Sequence, residues 1–306
     1  MNKKVLITGI TGQDGSYLAD ILLEKGYEVH GLIRYSSVGN TQRIDNIKDK
    51  IILHQGDMLD LISLDTIIRD ILPDEIYHEA DLDHIDWSHS SPQQSYNLTA
   101  AATGGLLEII KNINTNIKVF IPLSVTMFGD QPLPHTEETG FNPQSPYACG
   151  KVMAYYLAKY YREVHGVKVS TGTLYSHDSP RRGENYLLHK ICRQALEGTI
   201  EISSPEMLVG IGHARDFMEA AVAILQQDKP DDFLIGTGQK DSIKSYIDCI
   251  SDVLNIPLEI VPNDKFNRPG KQVEFWGDTS KVNKFWQPKI SKRELIKSIL
   301  DKYFEI

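Results

Sequence analysis

The chain has 306 residues, 41% hydrophobic and 24% charged, which suits one large α/β domain with a smaller lobe and excludes a disordered or low-complexity protein. A net charge of -9 speaks against nucleic acid or an anionic membrane as the main partner. Cys149, Cys192 and Cys249 have no disulfide or metal spacing and read as reduced thiols of a cytoplasmic protein.

In chain order, residues 4–8 form an apolar, β-branched run that meets glycines at once, which predicts a first strand and not a signal peptide. Leu18, Ile21, Leu22 and Leu23 then fall at helical spacing over residues 16–25, with Gly26 as the stop. Strands are expected at 28–34 and 51–55, a helix at 64–72, and a strand at 75–79 after the turn at Pro73. A long helix at 96–112, a buried strand at 118–123, a helix at 147–166 and a strand at 167–174 follow. This β-α-β-α order predicts an α/β, Rossmann-type, doubly wound parallel sheet, because parallel neighbours need crossover helices.

Beyond residue 174 the rhythm loosens. Residues 179–184 read as a polar loop, 255–277 as irregular, and the last twenty as an amphipathic helix with Leu295, Ile299 and Leu300 on one face. Residues 215–225 and 233–238 are expected to return to the main sheet. The expected division is 1–174 plus about 214–238 for the dinucleotide domain. A smaller, mixed α/β C-terminal substrate lobe takes about 175–213 plus 239–306.

The turn after the first strand carries Gly9, Thr11, Gly12, Gln13, Asp14 and Gly15 and opens the first helix. Glycines there allow a tight turn and let the backbone approach a diphosphate at a helix N-terminus. Packing glycines without a ligand are the plainer alternative, but the placement between strand and amphipathic helix favours the cofactor. The second strand ends in Arg34 where an acid would bind a ribose 2′-hydroxyl, so NADP(H) is favoured and NAD(H) remains possible. Asp57 and Met58, after the third strand, are placed near the adenine.

Tyr147 and Lys151 lie four apart on one helical face, where the ammonium is expected to lower the phenol's pKa for proton exchange with a substrate hydroxyl. A surface i,i+4 pair is the bland reading. Ser124, at the carboxyl end of its strand, is the expected third member, orienting the oxygen that becomes a ketone.

The segments Gly9-Ile-Thr-Gly-Gln-Asp-Gly-Ser-Tyr17, Asn40-Thr-Gln-Arg-Ile44, Ser145-Pro-Tyr-Ala-Cys-Gly-Lys151, Ser179-Pro-Arg-Arg-Gly-Glu-Asn185 and Gly212-His-Ala-Arg-Asp216 resemble the GDP-mannose 4,6-dehydratase family along nearly the whole chain. The resemblance implies a GDP-sugar substrate held by Ser176, Asn185, Lys190, Arg215 and Arg268 together with Ser124. It also implies a homodimer or homotetramer in which residues 36–43 reach a neighbour's cofactor site.

Against that family the chain departs at three places. Thr126 stands where the family carries a glutamate that removes the C5 proton and protonates the departing C6 hydroxyl. A threonine hydroxyl is no base near neutral pH, and general catalysis worth roughly 10²–10⁴-fold goes with it. Glu137 and Glu138 are the neighbouring carboxyls that could substitute. Glu79 and Asp81 replace mostly small or neutral residues beside the cofactor and need pairing to be tolerated. With His78, Asp83, His84, Asp86 and His89 they invite a metal reading, which their irregular spacing argues against, so no metal is expected. Ser176 replaces an asparagine near the sugar. The expected reaction is oxidation or reduction at C4 of a GDP-hexose or GDP-heptose without loss of water, with Thr126 as a possible helper to Ser124. A 4,6-dehydratase using another acid and a sugar 4-epimerase are the alternatives.

Overall fold

The computed structural model describes residues 2–37, 39–263 and 274–304. Its first half runs β1 (Lys4–Thr8), α1 (Gln13–Glu24), β2 (Glu28–Ile33), β3 (Ile52–Gln55), α2 (Leu61–Ile71), β4 (Glu75–His78), α3 (Ile85–Ser90), α4 (Pro92–Tyr96), α5 (Ala102–Ile113), β5 (Lys118–Ser124), α6 (Pro146–His165) and β6 (Lys168–Leu174). The second half runs β7 (His177–Asp178), α7 (Leu187–Ala195), β8 (Thr199–Ile202), β9 (Gly212–His213), α8 (Ala214–Leu225), β10 (Asp232–Ile235), α9 (Ile243–Leu254), β11 (Glu259–Pro262) and α10 (Lys292–Phe304).

Seven strands form one parallel sheet in the order β10-β6-β5-β4-β1-β2-β3. The order reverses between β1 and β4, and in such a sheet the crevice at the strand ends of that reversal is where ligands bind. Two cores sandwich the sheet. On one face α1 packs on α8 through Leu18, Ile21 and Leu22 against Phe217, Met218 and Leu225. On the other, Leu64 and Ile68 of α2, Leu106 and Ile110 of α5, and Ala154 and Ala158 of α6 close over the strands. A third core belongs to the lobe and joins α7, α9 and α10 through Leu188, Ile191, Ile247, Ile250, Leu295 and Ile299.

Local chemistry sets the helix ends that matter for function. Ser145 caps α6 by accepting the Ala148 N–H at 3.1 Å, and Pro146 takes the first helical position, where its missing N–H costs nothing. Gly166 stops the helix in the left-handed region. The long helix expected at 96–112 begins earlier, as α4, and passes through a π turn at Asn97–Ala101 before α5. Residues 259–262, expected to be irregular, form β11 and pair in parallel with β8, far from them in sequence.

Candidate active site

The glycine turn between β1 and α1 lies at the crevice. Gly9 has φ +69°, and a Cβ there would sit 2.7 Å from the Ala80 nitrogen, so glycine is required where β1 meets the end of β4. A Cβ on Gly15 would collide with the Gly9 carbonyl, which makes Gly15 the helix–strand packing glycine. Gly12 is exposed and begins α1 with no side-chain cap. The first amides of α1 are therefore not taken up by a capping side chain.

Around this turn the side chains reach toward the lobe. Gln13 Oε1 accepts from Ser179 Oγ at 2.8 Å, and Asp14 Oδ2 pairs with His177 Nε2 at 3.0 Å. Burial pushes the Asp14 carboxyl up, but the charge and hydrogen bond of His177, with Arg182 behind, outweigh it and hold Asp14 well below the usual carboxylate range. Arg43 Nη1 donates to the Thr11 carbonyl at 3.2 Å and its Nε to the Arg181 carbonyl at 2.6 Å, so this arginine braces the chain's own turn. Arg181 in turn lies along α1, donating to Ser16 Oγ and Asp20 Oδ2 with its guanidinium over the Tyr17 ring. Arg34 is exposed just past β2, Met58 is buried, and Asp57 Oδ1 accepts the Leu59 N–H.

Ser124, Thr126, Tyr147 and Lys151 come together at the carboxyl end of β5. Ser124 Oγ lies 2.9 Å from Thr126 Oγ1 and close enough to the Tyr147 hydroxyl to favour its phenolate. Lys151 Nζ is 5.7 Å from the centre of the Tyr147 ring, donates to the Pro122 carbonyl at 2.5 Å, and pairs with Asp81 Oδ2 at 2.8 Å. Asp81 is held by Thr99 Oγ1, which donates to its Oδ1 at 2.6 Å. The expectation that Lys151 lowers the phenol's pKa is not met. Burial, then the carboxylates of Asp81 and Asp83, push Tyr147 well above the ordinary phenol range, against the Ser124 hydrogen bond and Arg182.

The remaining acids are handled individually. Burial, then Asp14 and Asp81 against Lys151, pushes the Glu79 carboxyl up to about 8, and its Oε1 is buried without a hydrogen-bond partner. Asp83 accepts from the Tyr186 hydroxyl at 3.1 Å and pairs with Arg182 at 3.1 Å, while the Arg182 guanidinium covers the Tyr186 ring. His78 is spent between Thr8 and Thr103, and burial with the Lys151 charge pulls it down to about 4. His84 stacks on Trp87. Among the described residues no group of three or more His, Cys, Asp or Glu side chains could hold a metal ion. Glu137 is engaged by the Leu234 N–H, and Glu138 is exposed.

The residues expected to hold the sugar nucleotide are dispersed. Ser176 is half-buried and its carbonyl accepts the Gly212 N–H. Asn185 and Lys190 are exposed around the start of α7. Arg215 pairs with Glu24 and Glu219, at the end of α1 that lies about 18 Å from Gly12 by helical rise. Arg268 lies outside the described residues. No role was expected of Arg182 or Tyr186, although they belong to the Ser179–Asn185 segment or follow it directly, while Arg43, at the end of the stretch expected to reach a neighbour's cofactor site, holds carbonyls of its own chain. Their neighbours Asp83 and Thr11 are distant in the chain.

The family model described as GDP-mannose 4,6 dehydratase matches residues 6–299. GDP-mannose 4,6 dehydratase 1 of Arabidopsis thaliana is 37% identical over 99% of this chain and 90% of its own length. GDP-mannose 4,6-dehydratase of Vibrio cholerae serotype O1 is 42% identical over 85% of this chain and 74% of its own. Among solved structures, UDP-glucose 4-epimerase of Thermotoga maritima with UDP-glucose superposes with TM-score 0.88 at 19% identity, covering 99% of both chains. RMD from Pseudomonas aeruginosa complexed with NADPH does so with TM-score 0.83 at 20% identity, again over 99% of both.

Proposed function

This chain belongs to the GDP-mannose 4,6-dehydratase family, and from that premise we propose that it is a nicotinamide-dependent oxidoreductase acting at C4 of a GDP-linked hexose or heptose without removing water. The observation that carries the proposal is the Thr126 hydroxyl, hydrogen-bonded to Ser124 beside Tyr147, at the position where elimination would need a carboxylate. Glu137, the nearest substitute in sequence, is spent on β10.

The residues present fit a dinucleotide. Gly12 leaves the first amides of α1 open toward a diphosphate, and the acids around them are neutralised: Asp14 by His177, Asp81 by Lys151, Glu79 by its own proton. When bound, the nicotinamide accepts or supplies the hydride at C4. Tyr147 exchanges the proton of the C4 oxygen, Ser124 and Thr126 orient that oxygen, and Lys151 holds the ribose beside the phenol. Arg34, solvent-exposed past β2, supports a preference for NADP(H) over NAD(H). Met153, Tyr156, Tyr160 and Val164 form one exposed apolar face of α6, which supports the homo-oligomer. No helix among the described residues is long and apolar enough to cross a membrane.

GDP-mannose incubated with NADP⁺ and followed by mass spectrometry tests the reading. The sugar nucleotide is expected either to lose two hydrogens or to stay intact, with no species lighter by one water. A dehydrated 4-keto-6-deoxy product would overturn the proposal and favour a second reading, that of a 4,6-dehydratase using another acid.

A further inference from the structure

The ammonium of Lys151 is the positive charge that would ordinarily draw the proton off Tyr147, and in this chain it is already matched. Lys151 is 6% exposed, so its Asp81 partner at 2.8 Å acts through protein and not through water. Its Nζ donates to the Pro122 carbonyl and forms an ion pair with Asp81 Oδ2, which has no other partner among the described residues. Asp81 is fixed from its other oxygen by Thr99, inside the π turn between α4 and α5, and by the Leu82 N–H at 2.7 Å. The phenol thus faces an ion pair where it would otherwise face a lone cation. A pair whose charges cancel falls off with distance far faster than a single charge.

The other charged groups facing Tyr147 do not restore the balance. From the segment after β4 come Asp81 and Asp83. From the loop before α7 comes Arg182, itself paired with Asp83 and lying over Tyr186, which donates to the same carboxylate. On its own helix Tyr147 has Lys151 one turn on, and at β5 it meets the neutral hydroxyl of Ser124.

We propose that Asp81 is a positioning residue that takes up the charge of Lys151 and so keeps Tyr147 protonated, setting the site to give a proton to a sugar carbonyl. This rests on the reading of the site as a C4 oxidoreductase. In that step the C–O double bond at C4 becomes a single bond: the carbon gains hydride from the reduced nicotinamide, which is the reductant, and the oxygen gains the Tyr147 proton. The phenolate left behind recovers its proton from solvent. Oxidation of a C4 hydroxyl would need the phenolate first, which Asp81 opposes, so the site is built for reduction of a 4-keto sugar nucleotide.

The test reads the phenol directly and needs no substrate. The chain is labelled with ¹³C at tyrosine Cζ, the Tyr147 resonance is assigned by its loss in Tyr147→Phe, and its titration is followed with and without NADPH. In the wild type Tyr147 is expected to stay protonated past the ordinary phenol midpoint of about 10. In Asp81→Asn the midpoint is expected to fall so that proton affinity drops at least about tenfold. A wild-type midpoint below that of a free phenol overturns the proposal, as does a folded Asp81→Asn chain whose midpoint does not move. Should Asp81→Asn fail to fold, the wild-type midpoint decides. Dehydration of GDP-mannose would refute the C4 reading while leaving this titration unchanged, so the two failures are separable.

Discussion

At Glu79 the chain places a carboxyl beside Gly9, in the turn proposed to hold a dinucleotide diphosphate. Burial carries this group up to about 8, so it is uncharged at neutral pH and becomes a second negative charge near the turn only in alkali. NADPH affinity is therefore expected to hold steady below about pH 8 and to fall above it, by about tenfold by pH 9.5 for a charge pair at intermediate dielectric. Glu79→Gln should flatten that profile. Fluorescence titration of NADPH across the range checks it, and equal slopes for both chains would sink the idea. The sequence marks Glu79 and Asp81 as acids in need of compensation. What compensates each is hidden from it, because Lys151 is seventy positions from Asp81 and only the sheet order brings β4 and α6 together. The raised phenol of Tyr147 is hidden for the same reason: an i,i+4 lysine is visible in the chain, whereas the burial and then the carboxylates that oppose it are not.

On the scale of elements, the strands of the sheet and helices α1, α2, α5 and α6 were legible through their strand or helix period, whereas the short α3 was not expected. The π turn at Asn97–Ala101 and strand β11 were not, since the first leaves apolar spacing almost unchanged and the second exists through its partner β8. The junction of α1 with β7 is a further product of tertiary contact, through Asp14 and His177. Burial lowers the His177 pKa, but Asp14 more than restores it and holds it above its ordinary value. The sign follows from both partners. Stability from Asp14, whose pKa is depressed, is present above its ordinary value of about 4 and lost as pH falls below it. Stability from His177, whose pKa is raised, is complete below about 6.5 and lost as pH rises through the raised value. Removing one partner of such a buried pair, as in His177→Gln, is expected to cost about 3 kcal/mol near pH 6 and distinctly less near pH 9. Urea unfolding at the two pH values measures this, and a gap independent of pH would contradict it.

Taken whole, the molecule keeps its chemistry on the sheet and gives its lobe a core of its own. Ile250 is fully buried in that lobe core, away from the crevice. Ile250→Ala should cost about 2–5 kcal/mol of stability by denaturant unfolding, while NADPH affinity of the folded chain changes by less than about twofold. A matching loss of affinity would show that the lobe core holds the turn in shape. The two parts nevertheless meet along one seam, where Arg181 lies on Ser16, Tyr17 and Asp20 while Ser179 and His177 grip Gln13 and Asp14. Recombination between relatives must respect that seam. A chimera that imports a foreign lobe beginning near residue 175 inherits arginines and histidines with no matching acids, unless residues 13–20 travel with it. The smallest unit in which the lobe can be exchanged is therefore discontinuous in the gene, one short piece near its start and one long piece past its middle.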